Sequence, residues 1–178
     1  MSVIAIDFET SGYSPASACA LGMARIEDGA VRDTWYRLIR PPDPNVHFTE
    51  IHGLTWAMLK DQPTFAELWP EISAFMQDAE LFTAHNASFD RGVLHSCCAA
   101  AGVEAPNAPF ACTLRGARKA LHLAHYRLND VCAYLGVALD HHQALSDALG
   151  AAAIYLFLRQ KGLSDADMAL KHRTCSKR

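Results

Sequence analysis

Residues 3 to 9 alternate and are rich in Val and Ile, which predicts a β-strand; Ala18 to Ile26 and Ala30 to Ile39 predict two more. Glu27-Asp28-Gly29 lies between the latter two, and its Asp-Gly pair marks a hairpin. Pro41, Pro42 and Pro44 forbid continuous strand or helix, and beyond them Leu54 to Leu59 reads as a short helix. Phe65, Leu68, Trp69, Ile72, Phe75 and Met76 form a helical stripe. Leu81 to Ala84 predicts a strand, His85-Asn86 a turn, and the helical spacing of Phe89, Val93, Leu94 and Cys97 a helix ending at Gly102. After a loop around Pro106 and Pro109, Phe110 to Cys112 reads as a fifth strand. Leu114 to Leu121, Leu128 to Leu135 and Leu145 to Leu158 read as helices.

Three antiparallel strands followed by strand and helix alternation predict an α/β fold, a mixed five-stranded sheet flanked by helices. With 51% hydrophobic and 20% charged positions in 178 residues, one substantial core is expected. We expect one domain over residues 1–162 and a C-terminal tail over 163–178, basic from Lys171 to Arg178. The longest apolar run, the eleven residues Ala148 to Leu158, falls short of the roughly 20 that span a bilayer, so it is expected to be a buried helix. MSVIAIDFET has no basic leader region, and a cytoplasmic, non-membrane protein is expected. Cys19, Cys97, Cys98, Cys112, Cys132 and Cys175 show no CxxC spacing and read as reduced thiols, against a zinc site. Sixteen basic against 19 acidic residues leave a net charge of −3, so a phosphate ligand must be held by local features or metal ions.

Candidate chemistry lies at three places. Residues two apart on a strand share a face, so Asp7 and Glu9 project side by side, and their repulsion calls for a cation. Magnesium or manganese suits hard oxygen donors. In His85-Asn-Ala-Ser-Phe-Asp90, Asn86 is expected to cap the helix and Asp90 to fall in its first turn. In His141-His142-Gln-Ala-Leu-Ser-Asp147, a spacing of five would splay His142 and Asp147 by roughly 140° on one continuous helix. They converge if His142 sits on the preceding loop. A neutral imidazole can take a proton from water near neutral pH, which makes His142 the candidate general base. Four carboxylates carry four negative charges, and two Mg²⁺ ions would neutralise them.

With these residues placed, the chain resembles the DEDDh branch of the DnaQ-like 3′→5′ exonucleases, of ribonuclease-H-like fold, from Val3 to about Leu158. Asp7-Phe-Glu9-Thr10-Ser-Gly12, His85-Asn-Ala-Ser-Phe-Asp90 and His142 with Asp147 match the three ordered motifs, and Ile51-His-Gly-Leu-Thr55 a further signature. The run HNASFDRGVL is most like exonuclease X, with the epsilon-type proofreading subunit of polymerase III close behind. The resemblance implies that Asp7, Glu9 and Asp147 ligate one metal ion, that Asp7 and Asp90 serve a second, and that His142 activates water. It implies Mg²⁺, two ions per site with Mn²⁺ able to substitute. It also implies that the backbone around Phe8, Thr10 and Gly12 grips a terminal nucleotide, with Ile51, His52 and Phe89 packing on its sugar and base. The partner implied is a nucleic-acid 3′ end, DNA before RNA; a polymerase or repair partner and a homodimer are compatible with it. One departure stands out: Ala18-Cys-Ala-Leu-Gly-Met lacks the glutamate many relatives carry on the second strand.

The expected activity is 3′→5′ hydrolysis of DNA, in repair or proofreading, releasing nucleoside 5′-monophosphates. The alternatives are an RNA exonuclease of the oligoribonuclease or ribonuclease T kind, which would share the same five residues, and a non-catalytic nucleic-acid-binding module, which would be expected to have lost a metal ligand. Spacing to Asp147 favours His142 over His141 as base, while His85 and His52 read as structural or substrate-contacting. Trp35, Trp56 and Trp69 lie on apolar stripes and read as core before base-stacking platforms.

Overall fold

The structure, a computed structural model, describes residues 1–140 and 142–170. His141, Cys175 and the basic stretch 171–178 lie outside the described residues.

The chain opens with β1 (Val3–Thr10), β2 (Ala18–Glu27) and β3 (Ala30–Leu38), then two short helices, α1 (Thr49–His52) and α2 (Trp56–Leu59), and the longer α3 (Phe65–Met76). β4 (Leu81–Ala84), α4 (Ser88–Ala101), β5 (Phe110–Cys112) and α5 (Thr113–Ala120) follow, and α6 (Leu128–Leu135), α7 (Ala144–Gln160) and α8 (Asp165–Met168) complete it. The five strands form one sheet in the order β3-β2-β1-β4-β5. β1, β2 and β3 pair antiparallel, while β4 and β5 add parallel to β1 and to each other. Asp28 and Gly29 both take positive φ (50° and 74°), which gives the β2–β3 hairpin the backbone twist a tight turn requires.

Two short helices are not expected from the sequence, where neither Thr49–His52 nor Asp165–Met168 carries an apolar stripe of helical spacing. One is α1, inside the proline-bearing loop. The other is α8, started by Ser164, whose side chain accepts from the Asp167 N–H while Asp167 bonds back to the Ser164 N–H. Residues 163–170, grouped above with the tail, carry α8 and bury Met168 against the core; Ala169 forms a β-bridge with Ala111. α2 begins at Trp56, two residues later than expected, because Thr55 is extended (φ −117°, ψ 159°).

Alternation along β1 divides the core. Ile4, Ile6 and Phe8 face the cluster built with α3 and α4, and Val3 and Ala5 face the one built with α5, α6 and α7. Trp35 and Trp69 pack on the first cluster, and Trp56 on a third beside α1 and α2. The five described cysteines are buried and unbridged. No described helix is long and apolar enough to cross a membrane.

The register places Ala20, Gly22 and Ala24 of β2 opposite Glu9, Asp7 and Ala5 of β1. Onto this seam of small residues comes the start of α7, itself small there: Ala144 and Ala148 are buried. A Cβ at Gly22 would lie 2.3 Å from the Ala144 carbonyl carbon and oxygen and 2.4 Å from the Leu145 nitrogen, so only glycine admits the helix backbone at this distance. Because the obstacle is backbone, no side-chain rotation relieves it. Gly22→Ala should therefore lower unfolding free energy by about 1–3 kcal/mol, the usual cost of overpacking. Urea denaturation measures it; a change under about 0.5 kcal/mol would show that α7 yields freely and that the seam does not fix its position.

Candidate active site

On the face of β1 turned toward α7 the sequence runs Val3, Ala5, Asp7, Glu9: apolar within the core, acidic where the strand leaves it. The pairing with β2 shifts register between Glu9 and Thr10, a bulge at the point where the strand meets the site. α7 arrives over the seam with Asp147 in its first turn and 4% exposed. The Gln143 side chain caps that turn by accepting from the Ser146 N–H at 3.0 Å. His142 lies before the helix, in the left-handed region (φ 69°). That turn of the backbone points its N–H at Asp147 Oδ2, 3.2 Å away, and leaves the side chain exposed. The loop position required for His142 and Asp147 to converge is thus the one observed. Ligand atoms of Glu9, His142 and Asp147 all lie within 4.8 Å of one another.

Asp90 approaches from α4 and is almost fully buried, at 1% exposure. The parallel pairing of β1 with β4 spans only Val3 to Ala5, so the N–H of Phe8 has no strand partner on that side. Asp90 Oδ1 accepts it at 3.1 Å. The expectation that Asn86 caps α4 is corrected: the N-cap is Ala87, with no side-chain cap bond. Asn86 instead takes the left-handed conformation (φ 72°), which asparagine tolerates better than most residues, and its carbonyl accepts from the Phe89 N–H. It turns the chain from β4 into α4 by its backbone.

Gathering four acids has an electrostatic cost. Burial, then the charges of Asp90, Asp147 and Glu9, holds Asp7 well above the ordinary carboxylate range. Burial and the charges of Asp147 and Asp90 push Glu9 up to about 8. Asp90 is raised by burial in spite of the Phe8 N–H. Carboxylates so displaced call for a compensating cation, and their oxygens are the hard donors that divalent ions of the magnesium class accept. The donor set fits such an ion.

Beside the acids opens a cleft of about 240 Å³ lined by Glu9, Ala20, Tyr36, Ile51, His52 and His142, among others. Ala20 stands opposite Glu9 and lines the cleft beside it. His52 is buried and both its ring nitrogens are engaged: Nδ1 accepts from the Leu54 N–H (3.1 Å), so Nε2 donates to the Thr10 carbonyl (3.2 Å). It ties α1 to the end of β1, and burial keeps it below the ordinary histidine range. Ile51 and Phe89 are exposed, at 52% and 47%, while the Phe8 side chain is in the core. The Gly12 N–H and carbonyl both bond the Ser17 hydroxyl. Two contributors were missed from sequence. Tyr36 lines the cleft from β3, and nothing in the local pattern distinguishes it from other strand aromatics. Gly22 did carry a signal, a glycine inside a strand of buried apolar residues.

The chain matches the exonuclease family profile (RNase_T) over residues 4–155. Among curated proteins it is 31% identical to the PolC-type DNA polymerase III of Thermotoga petrophila over 157 residues, which is 86% of this chain and 11% of that one. It is 33% identical to the PolC-type enzyme of Halalkalibacterium halodurans over 150 residues, 82% of this chain and 10% of that one. The chain therefore spans about a tenth of the length of these relatives. Among solved structures, exonuclease X in complex with 5′-overhanging duplex DNA superimposes with a TM-score of 0.76 at 25% identity, covering 94% of this chain and 97% of that one. The nuclease domain of 3′hExo, a DEDDh family member bound to rAMP, has a TM-score of 0.74 at 17% identity, covering 90% and 92%, a likeness of fold. With the sheet order, the acids on β1, α4 and α7 and the profile match in agreement, the chain belongs to the DEDDh exonuclease family.

Proposed function

We propose that the protein is a 3′→5′ exonuclease that hydrolyses the terminal phosphodiester bond of DNA and releases nucleoside 5′-monophosphates. The observation that carries this reading is the exposed imidazole of His142 at the mouth of the cleft, with ligand atoms of Glu9 and Asp147 within 4.8 Å of its own. DNA is favoured over RNA because the relatives at 31–33% identity are DNA polymerases and the neighbour at 25% identity is in complex with DNA.

Asp7, Glu9 and Asp147 would hold one divalent ion, and Asp7 with Asp90 a second, magnesium being the expected metal. When bound, such ions neutralise phosphate charge and stabilise the attacking and leaving oxygens. The protein's own groups then have separable tasks. Asp90 fixes the end of β1 through the Phe8 N–H. His142 takes the proton from the attacking water, held at the cleft by the turn that bonds its N–H to Asp147. Ile51 and Phe89 supply apolar surface for the terminal sugar and base without reading sequence, which suits removal of any nucleotide.

Digestion of end-labelled DNA and RNA strands of one sequence, with magnesium, tests the reading. DNA should shorten stepwise from its 3′ end, faster than RNA; preferential RNA digestion would overturn the choice of DNA. Asp7→Ala, Asp147→Ala or EDTA should abolish nucleotide release with the circular dichroism spectrum retained. His142→Ala should slow it by about 100- to 10,000-fold, the range of a lost general base. Full activity in EDTA would rule out the metal.

Stability should show the same linkage. Glu9 titrates at about 8 in the folded chain against 4.5 for the free side chain, so between these values the folded state binds more protons than the unfolded one. Stability then falls as pH rises through the window. Without divalent ions the melting temperature should drop between about pH 5 and pH 8, and magnesium chloride should reverse the drop most strongly at the upper end. A magnesium effect that is absent, or equal at both ends, would count against a metal held by these carboxylates.

A further inference from the structure

The acid cluster has a second recess beside it. The small cleft lies toward β2 and β3, where Ala20 and Tyr36 line it. On the other side, past the ends of β4 and β5, an open groove of about 620 Å³ runs between the His85-Asn86 turn and the wall formed by α5 and the loop after it. That wall carries Arg118, His125 and Arg127, all exposed.

The sign and availability of these charges are informative. Arg25, Arg32, Arg37, Arg40 and Arg159 each pair with a carboxylate, whereas among the described residues neither Arg118 nor Arg127 does. The nearby Asp130 spends an oxygen on the Arg127 backbone N–H, at 3.0 Å. In a chain of net charge −3, this is a local concentration of uncompensated positive charge beside a cluster of acids.

The groove is also built, not left to a loose loop. The Tyr126 hydroxyl donates to the Leu121 carbonyl (2.9 Å) and accepts from the Leu123 N–H (3.1 Å), which closes the loop on itself. The Tyr126 carbonyl accepts from His85 Nε2 at 2.8 Å, and His85 Nδ1 lies 2.9 Å from the Thr113 hydroxyl, so one half-buried ring ties the loop to β4 and α5. The same ring is close enough to sense the charges of both Asp147 and Arg118, which places the basic wall next to the acid cluster.

We propose that this groove is the track for the phosphates that precede the bond being cut, with Arg118 and Arg127 as their ligands. The inference rests on the exonuclease reading. A strand whose terminal nucleotide fills the cleft must cross the acids at the scissile bond and emerge on the β4 and β5 side, where the groove begins. Guanidinium groups neutralise phosphates without reading bases, which suits an enzyme that advances one nucleotide per cycle.

The test compares a DNA dinucleotide, too short to enter the groove, with a single strand of about ten nucleotides. In Arg118→Ala/Arg127→Ala the KM for the longer strand should rise by about tenfold with kcat within about twofold, and the advantage of the longer strand over the dinucleotide should shrink. Binding of the longer strand in EDTA, followed by fluorescence anisotropy against salt, should show a logarithmic slope shallower by about one to two. Arg118→Lys/Arg127→Lys should restore that slope, and Lys161→Ala, a distant charge control, should leave it unchanged. An unchanged KM and slope in the alanine variant would overturn the track. So would an equal loss on dinucleotide and longer strand, which would mean the arginines support the acid site instead. If the unmodified protein cuts no DNA, the exonuclease reading fails by itself, and the salt slope still decides the groove.

Discussion

The close approach of α7 to the sheet is the constraint on which the rest depends. Asp7 and Glu9 belong to β1, Asp90 to α4 and Asp147 to α7, and their charges push these elements apart. Two like charges 4 Å apart repel by about 4 kcal/mol at an effective dielectric near 20. What opposes that push is apolar burial spread along α7 and the seam of Ala20, Gly22 and Ala24 that lets its backbone settle against β2. The site is strained electrostatically because the scaffold is well packed.

From that one contact the remaining geometry follows. With the first turn of α7 over Gly22, Asp147 faces Asp7 and Glu9, and the residues just before the helix must turn back over the cleft. The left-handed His142 is that turn. On the far side, β4 stops after Ala84 and Asn86 redirects the chain, which brings Asp90 to the buried N–H of Phe8 that β4 leaves without a strand partner, and His85 to the loop that walls the groove. The acids therefore sit between a small cleft and an open basic channel, and both are consequences of where strands end.

Much of this was legible in the residues. The strands and the longer helices follow hydrophobic periods that tertiary packing reinforced, so β1 to β5 and α3 to α7 appear close to where alternation and helical spacing put them. The carboxylates could be named because their type and spacing are chemical signals in their own right. Contacts between distant segments could not. Asn86 looked like a cap because its side chain can cap; that it serves as a left-handed hinge depends on where β4 meets α4. α1 and α8 owe their existence to local turns and docking, and no apolar stripe marks either of them. The pairing of Gly22 with Ala144, 122 positions later, exists only once the helix is folded onto the sheet.

The bond between Phe8 and Asp90 has one more consequence. Where a longer β4 would have supplied a carbonyl, the sheet ends in a carboxylate, so an acid of the site doubles as the last rung of the hydrogen-bond ladder. Any change in the charge or position of that carboxylate alters the bond on the Phe8 amide proton, deep beside the site and remote from solvent. That single amide is a built-in spectroscopic reporter, whose chemical shift and exchange rate follow the electrostatic state of the acid cluster without a label and without substrate.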